Sequence, residues 1–195
     1  MKRITCYFTV GLVIALAIPG AAVAQDLWSV EARGGAAFAT EKLAEADLGT
    51  GIGFEGNVSY RFMEHLAAYG GWSWLHFTTD GSSWGGEMDV EETGYLFGLK
   101  FVHPIGEGPL SYLVRAGGTV NHIEVEDDGG DIVADSKHGL GWEVGLGLVY
   151  DLNDSWQISP GVRYRALSRD LEAGNTTYSV DLNYISADVG ISYSF

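Results

Sequence analysis

Almost everywhere over residues 28–195, large apolar residues alternate with small or polar ones, and no helical period competes. Residues 138–150 show the pattern most cleanly. Leu140, Trp142, Val144, Leu146, Leu148 and Tyr150 share one face, while Gly139, Gly141, Glu143, Gly145 and Gly147 share the other. Successive side chains of a strand point to opposite faces, so a period of two is the signature of a half-buried strand. Eight such runs are legible, at residues 28–38, 50–62, 66–77, 93–102, 110–123, 138–150, 155–167 and 178–195. No low-complexity linker divides them.

Short and long connections alternate between the runs. Met63-Glu64-His65, "HPIGEGP" and Leu152-Asn153-Asp154 are short; "ATEKLAEADLG", "TTDGSSWGGEMDVEE", "EVEDDGGDIVADSK" and "SRDLEAGNTT" are long. In a meander this gathers four long, acidic loops at one end and both chain ends at the other, a pattern of outer-membrane barrels. The expected fold is all-β: an eight-stranded antiparallel up-and-down transmembrane β-barrel over residues 25–195.

Volume decides which face points inward. Eight strands enclose room for packed side chains or one small ligand. The rings of Trp28, Phe54, Trp72, Tyr95, Phe97, Trp142 and Phe195 all fall on the apolar face and cannot share so narrow a space. The opposite face, with Gly35, Gly53, Gly71, Gly98, Gly117, Gly145, Gly161 and Gly190, suits a crowded interior. The apolar face therefore turns outward to lipid. Its aromatics sort into two belts: Trp28, Tyr60, Tyr112, Trp156, Tyr193 and Phe195 near the short turns, and Trp74, Tyr95, Trp142 and Tyr164 near the long loops. Two interfaces of a bilayer select such belts.

The charges agree with this orientation. Arg33, Arg61, Lys100, Arg115, Arg163 and Arg165 fall on the glycine-bearing face, with Glu31, Glu55, Glu143 and Asp188; Lys42, Lys137 and Arg169 are read as loop residues. An arginine facing lipid at midplane costs about 2–4 kcal/mol, whereas a buried charge that is paired and hydrogen-bonded is tolerated. These ten inner charges are expected to form a salt-bridged plug of the lumen. The functional alternative is a proton or ion path.

The first residues, "MKRITCYFTVGLVIALAIPGAAVAQ", carry Lys2 and Arg3, a short apolar run and Ala22-Val23-Ala24. That is the anatomy of a cleaved export signal over residues 1–24. Cys6, the one cysteine, lies inside it, so disulfides play no part in residues 25–195. Removing Lys2 and Arg3 leaves nine basic residues against 26 acids, a formal charge of −17. Such a polyanion lacks the basic footprint of a nucleic-acid binder.

At this point the residues resemble a known family, the small eight-stranded outer-membrane β-barrels such as the OmpA barrel domain, OmpX and OmpW. The likeness spans residues 25–195 and rests on "GLGWEVGLGLVYDLND", "WQISPGVRYRAL" and the closing "YISADVGISYSF". It implies an address in the outer membrane of a Gram-negative-type bacterium, with membrane lipid and lipopolysaccharide as surroundings. It also implies that Ile191, Tyr193 and Phe195 on alternate positions form the signal read by the outer-membrane assembly machinery.

No catalytic constellation stands out, and no cofactor is expected. Gly81-Ser82-Ser83-Trp84-Gly85 matches G-x-S-x-G, but a nucleophile elbow needs a strand before it and a helix after it. Here the match falls in a long loop. The five histidines sit at strand ends and turns, none in H-E-x-x-H. Glu126, Asp127, Asp128 and Asp131 are weak candidate oxygen ligands for a hard cation, but their spacing does not fit an EF-hand, and most such charge runs are solvated loops. The expected function is non-enzymatic: a barrel with a plugged polar lumen and acidic surface loops serving envelope structure or surface interaction, with the loop ligand unknown. The alternative is a narrow, porin-like channel or binding barrel for small solutes, apolar ones included.

Overall fold

The alternating runs form nine strands in the computed structural model, which describes residues 27–43, 47–79, 88–127, 129–173 and 176–195. They are β1 (Trp28–Ala39), β2 (Thr50–Met63), β3 (Leu66–Thr78), β4 (Met88–Pro104), β5 (Leu110–Asp127), β6 (Ile132–Ser136), β7 (Gly139–Asp151), β8 (Trp156–Ala173) and β9 (Thr176–Ser194). The export-signal reading of residues 1–24, the serine motif at residues 81–85 and Asp128 lie outside the described residues.

Every pairing is antiparallel, and β1 pairs with β9 to close the ring. The seam extends to the last residue: the Trp28 N–H donates to the Phe195 carbonyl at 3.2 Å, and the Phe195 N–H returns to Trp28 at 2.9 Å. Closure removes the open edge that lipid cannot hydrogen-bond. The short β6 pairs with β5 and β8 above β7, so β6 and β7 are one broken wall strand and the ring has eight members.

Pro160 interrupts one seam. The β7–β8 ladder pairs Gly147 with Gly161 and Tyr150 with Ile158 but skips the positions between them. Proline carries no N–H to donate to a ladder.

The outward face is apolar through the middle of the wall, with Phe54, Phe97, Val144, Leu146, Val162 and Val189 exposed. Towards the long-loop end the strands run farther than the period-two reading placed them. β4 begins at Met88 rather than 93, β5 reaches Asp127, β8 reaches Ala173, and β9 starts at Thr176. Most of the segments read as the third and fourth long loops are thus hairpin extensions. The physical reason is an inversion of polarity along each strand. Above Glu92, Asn121 and Arg169 most inward residues are apolar, while Asp89, Glu124, Asp170 and Asp181 point outward. The inward set, with Leu43, Phe77, Val90, Ile123, Val125, Leu171, Val180 and Leu182, forms one buried cluster. Burying it stabilises hairpins that no longer have lipid on their outer side.

Candidate functional site

Below that apolar cluster the lumen is polar, and its width is set by backbone. A Cβ added at Gly98 or Gly117 would lie 2.7 or 2.6 Å from the Tyr69 hydroxyl, so these glycines make the space Tyr69 occupies. A Cβ at Gly190 would come within 2.8 Å of Arg33 Nη2. Large inward side chains from some strands are accommodated by glycine on the facing ones.

The inner charges form a ladder from the short-turn end upward. Glu31 accepts from Arg33 Nε at 3.0 Å, and Lys100 Nζ lies 4.0 Å from its other oxygen. Arg33 also bonds to Asp188, and its Nη2 donates to Ser159 at 2.8 Å. Arg163 joins Asp188, at 2.9 Å, to Glu55. Arg115 lies between Glu55 at 2.9 Å and Glu143 at 2.7 Å, with its guanidinium 4.5 Å above the Tyr69 ring. Glu143 further accepts from the Tyr69 hydroxyl at 2.8 Å and from Arg165 at 2.7 Å. Arg165 continues to Glu92 at 2.8 Å, which also accepts from the Tyr184 hydroxyl at 2.6 Å and from Asn121.

Five carboxylates (Glu31, Glu55, Glu92, Glu143, Asp188) thus meet five cations (Arg33, Lys100, Arg115, Arg163, Arg165), and the ladder is charge-balanced. Charge-assisted hydrogen bonds of this kind are the strong ones. The lone cost of each buried ion is offset only because nearly every head group has more than one partner.

Two members of the ladder, and one further cation above it, are not legible in the period-two reading. Glu92 fell one residue outside the fourth run, yet Val90, Glu92, Gly94 and Leu96 continue its inward beat. Tyr184 was hidden by the expectation that aromatics face lipid. Arg169 was placed in a loop, but it is buried on β8 and donates to the carbonyls of Asn121, Gly139 and Leu140 at 3.0, 2.6 and 2.9 Å. It closes the top of the polar section where β7, before Gly141, is not paired with β8. Arg61, expected among the inner charges, instead stands exposed at the rim of the short-turn mouth, where β2 ends in a register shift. With Glu31, Glu64, Lys100 and Gln157 it lines a vestibule of about 280 Å³.

Ile191, Tyr193 and Phe195 all lie exposed on the outer face of the last strand; the Tyr193 ring packs 5.1 Å from Trp156 and 6.2 Å from Phe195. Among the described residues, the candidates Glu126, Asp127 and Asp131 do not converge on one another. The Asp127 carboxylate accepts the N–H groups of Gly129 and Asp131 at 2.9 and 3.0 Å, so it shapes the β5–β6 turn. Glu126 points to the opposite face, where burial and then the carboxylates of Glu91, Glu124 and Asp89 push its pKa upward. Among the described residues, the side chains that converge with metal-binding spacing are His122, Glu124 and Asp135, and Glu91, Glu124 and Glu126.

Solved structures share this architecture. Neisserial surface protein A matches with a TM-score of 0.61 at 15% identity, covering 86% of this chain and 97% of the other. The outer membrane protein OprG from Pseudomonas aeruginosa matches with 0.60 at 15% identity, over 88% and 97%. A major outer membrane protein from Thermus thermophilus gives 0.53 at 14% identity, over 86% and 98%. At these identities the likeness is one of fold. No curated protein sequence matches the chain. A family model described as outer membrane protein beta-barrel domain matches residues 8–195. With lipid-facing rings outside and balanced charges inside, the chain belongs to the outer membrane protein beta-barrel domain family, resident in the outer membrane of a Gram-negative-type bacterium.

Proposed function

We propose that this is a non-catalytic envelope protein whose lumen is plugged and whose contacts are made by the acidic strand extensions beyond the membrane. The observation that carries this reading is the stacking of two blocks in one narrow tube. A charge-balanced ladder fills the membrane section, and the apolar cluster around Phe77, Ile123 and Leu182 fills the section above it. An ion crossing the barrel has to break paired arginines and then enter an apolar zone, where burying a charge is costly. Refolded protein in planar lipid bilayers is expected to give no stable conductance step; a reproducible unitary conductance overturns the plug.

A second reading, passage or binding of small apolar solutes, is favoured by one feature. Next to the interrupted β7–β8 seam, Val114, Ala116, Val144, Leu146, Val162 and Ile185 line a lipid-facing hollow of about 420 Å³. Uptake of an alkane into liposomes carrying the barrel would favour this reading over the first.

Residues 1–24 act as the removed signal, and Phe195 is the residue the assembly machinery reads. Phe195 also closes the β1–β9 seam through its backbone, so side chain and closure must be separated. Phe195→Ala keeps the backbone bonds and is expected to cut surface levels severalfold in cells. The same variant is expected to refold normally into micelles in vitro. Normal cellular levels of Phe195→Ala count against the address.

A further inference from the structure

The outward side of the loop-end extension carries a cluster that the lumen does not use. Strand pairing sets Glu91 opposite Glu124, Asp89 opposite Glu126, and Glu124 opposite Asp135. Like charges directly opposite one another destabilise an antiparallel pair, so three such pairs in adjacent register call for a counter-charge. His76 stands at one side of this row, 3.4 Å from Glu91 and 3.5 Å from Asp89. His122 stands at the other, where β5 exchanges its partner β6 for β7. Its Nε2 lies 3.1 Å from Glu124 Oε1, and the ligand atoms of His122, Glu124 and Asp135 all lie within 4.8 Å of one another.

We propose that His122, Glu124 and Asp135 bind a first-row divalent transition metal of the Zn²⁺ type on the outer surface of the barrel extension. Imidazole combined with carboxylate suits these ions, whereas Ca²⁺ and Mg²⁺ take oxygen ligands alone. Three protein ligands leave a fourth tetrahedral position for water or an outside group.

The proposal also assigns a role to His138. The His122 Nδ1 lies 3.2 Å from His138 Nε2, with ring centroids 4.5 Å apart. With Nε2 on the metal, the Nδ1–H of His122 donates to His138, which holds the ring and its tautomer. Ligating histidines are commonly fixed by such an outer partner. His138 is a positioning residue, brought to the site by the break between β6 and β7. The bound ion ties β5 to β6 and relieves the opposed carboxylates.

The experiment uses residues 25–195 without a histidine tag, refolded into micelles, titrated with Zn²⁺ by calorimetry and followed by thermal melting. Saturable binding of one ion per barrel is expected, with a raised melting temperature that EDTA reverses. His122→Gln loses that stoichiometric binding, and His138→Gln weakens it by about 10- to 100-fold. His65→Gln, at the periplasmic end, leaves it unchanged. Heat-modifiable gel migration establishes that each variant is folded; if His122→Gln fails that check, Asp135→Asn, at an exposed position, takes its place with the same expected loss. Absence of one-to-one binding, wild-type affinity in both ligand variants, or equal affinity for Ca²⁺ overturns the site.

Discussion

Glu143→Ala is expected to lower the unfolding free energy of the refolded barrel by about 3–5 kcal/mol, the usual cost of leaving a buried charge without its partner. The Glu143 side chain is 0% exposed and accepts from Arg115, Arg165 and Tyr69. Its removal leaves two guanidiniums sharing Glu55 and Glu92, inside a wall with little room to admit solvent. Equilibrium urea unfolding in micelles, followed by tryptophan fluorescence, reads the loss directly. Glu143→Gln retains the shape and one acceptor but not the charge, and should lose less. Because the ladder is shared, the cost of Glu143→Ala and Arg165→Met combined should be smaller than the sum of the two single costs, since members of one network are not additive. A loss below about 1 kcal/mol would show that water already solvates the inner arginines, and with it the plug would fall.

Leu146→Arg should cost about 2–4 kcal/mol, because arginine on the lipid face is most expensive at midplane. Leu146 lies midway along β7, is 66% exposed, and pairs with Val114 and Val162 on its neighbours. The adjacent face holds Arg115 and Arg163 without difficulty, since those point inward to carboxylates. Leu140, 74% exposed at the loop-side end of the same strand, is the depth control. Leu140→Arg should cost about 0–1 kcal/mol, since its guanidinium reaches the interface. Urea titration in lipid vesicles measures both. Equal costs at the two positions would mean that the wall is not buried in hydrocarbon at Leu146, whatever its composition.

Much of the architecture was legible before any coordinates. The alternation at residues 138–150 dictates a strand with one apolar face, and the excess of rings over lumen volume turns that face outward. Strand direction follows from the alternation of short and long connections. What went unread lay where the simple rule changes sign. Glu92, Tyr184 and Arg169 sit near the level at which outward residues become acidic and inward ones apolar. A reader using one rule for the whole strand ends the strands too early there, and assigns Arg169 to a loop. The period of two itself never stopped: Arg163, Arg165, Leu167, Arg169 and Leu171 keep one beat.

By itself the sequence determined the barrel, its inside-out orientation, and most of the charges that face the lumen, because each of these depends on alternation along a single strand. Which carboxylate meets which arginine was decided only by the closed structure. Arg33 and Asp188, or Arg165 and Glu92, lie far apart in the chain and meet because the register between strands and the circumference of the ring bring them together. The same holds for His122, Glu124 and Asp135, which converge where one wall strand breaks into two. Alternation sets a side chain's face, but only register and closure set its neighbours.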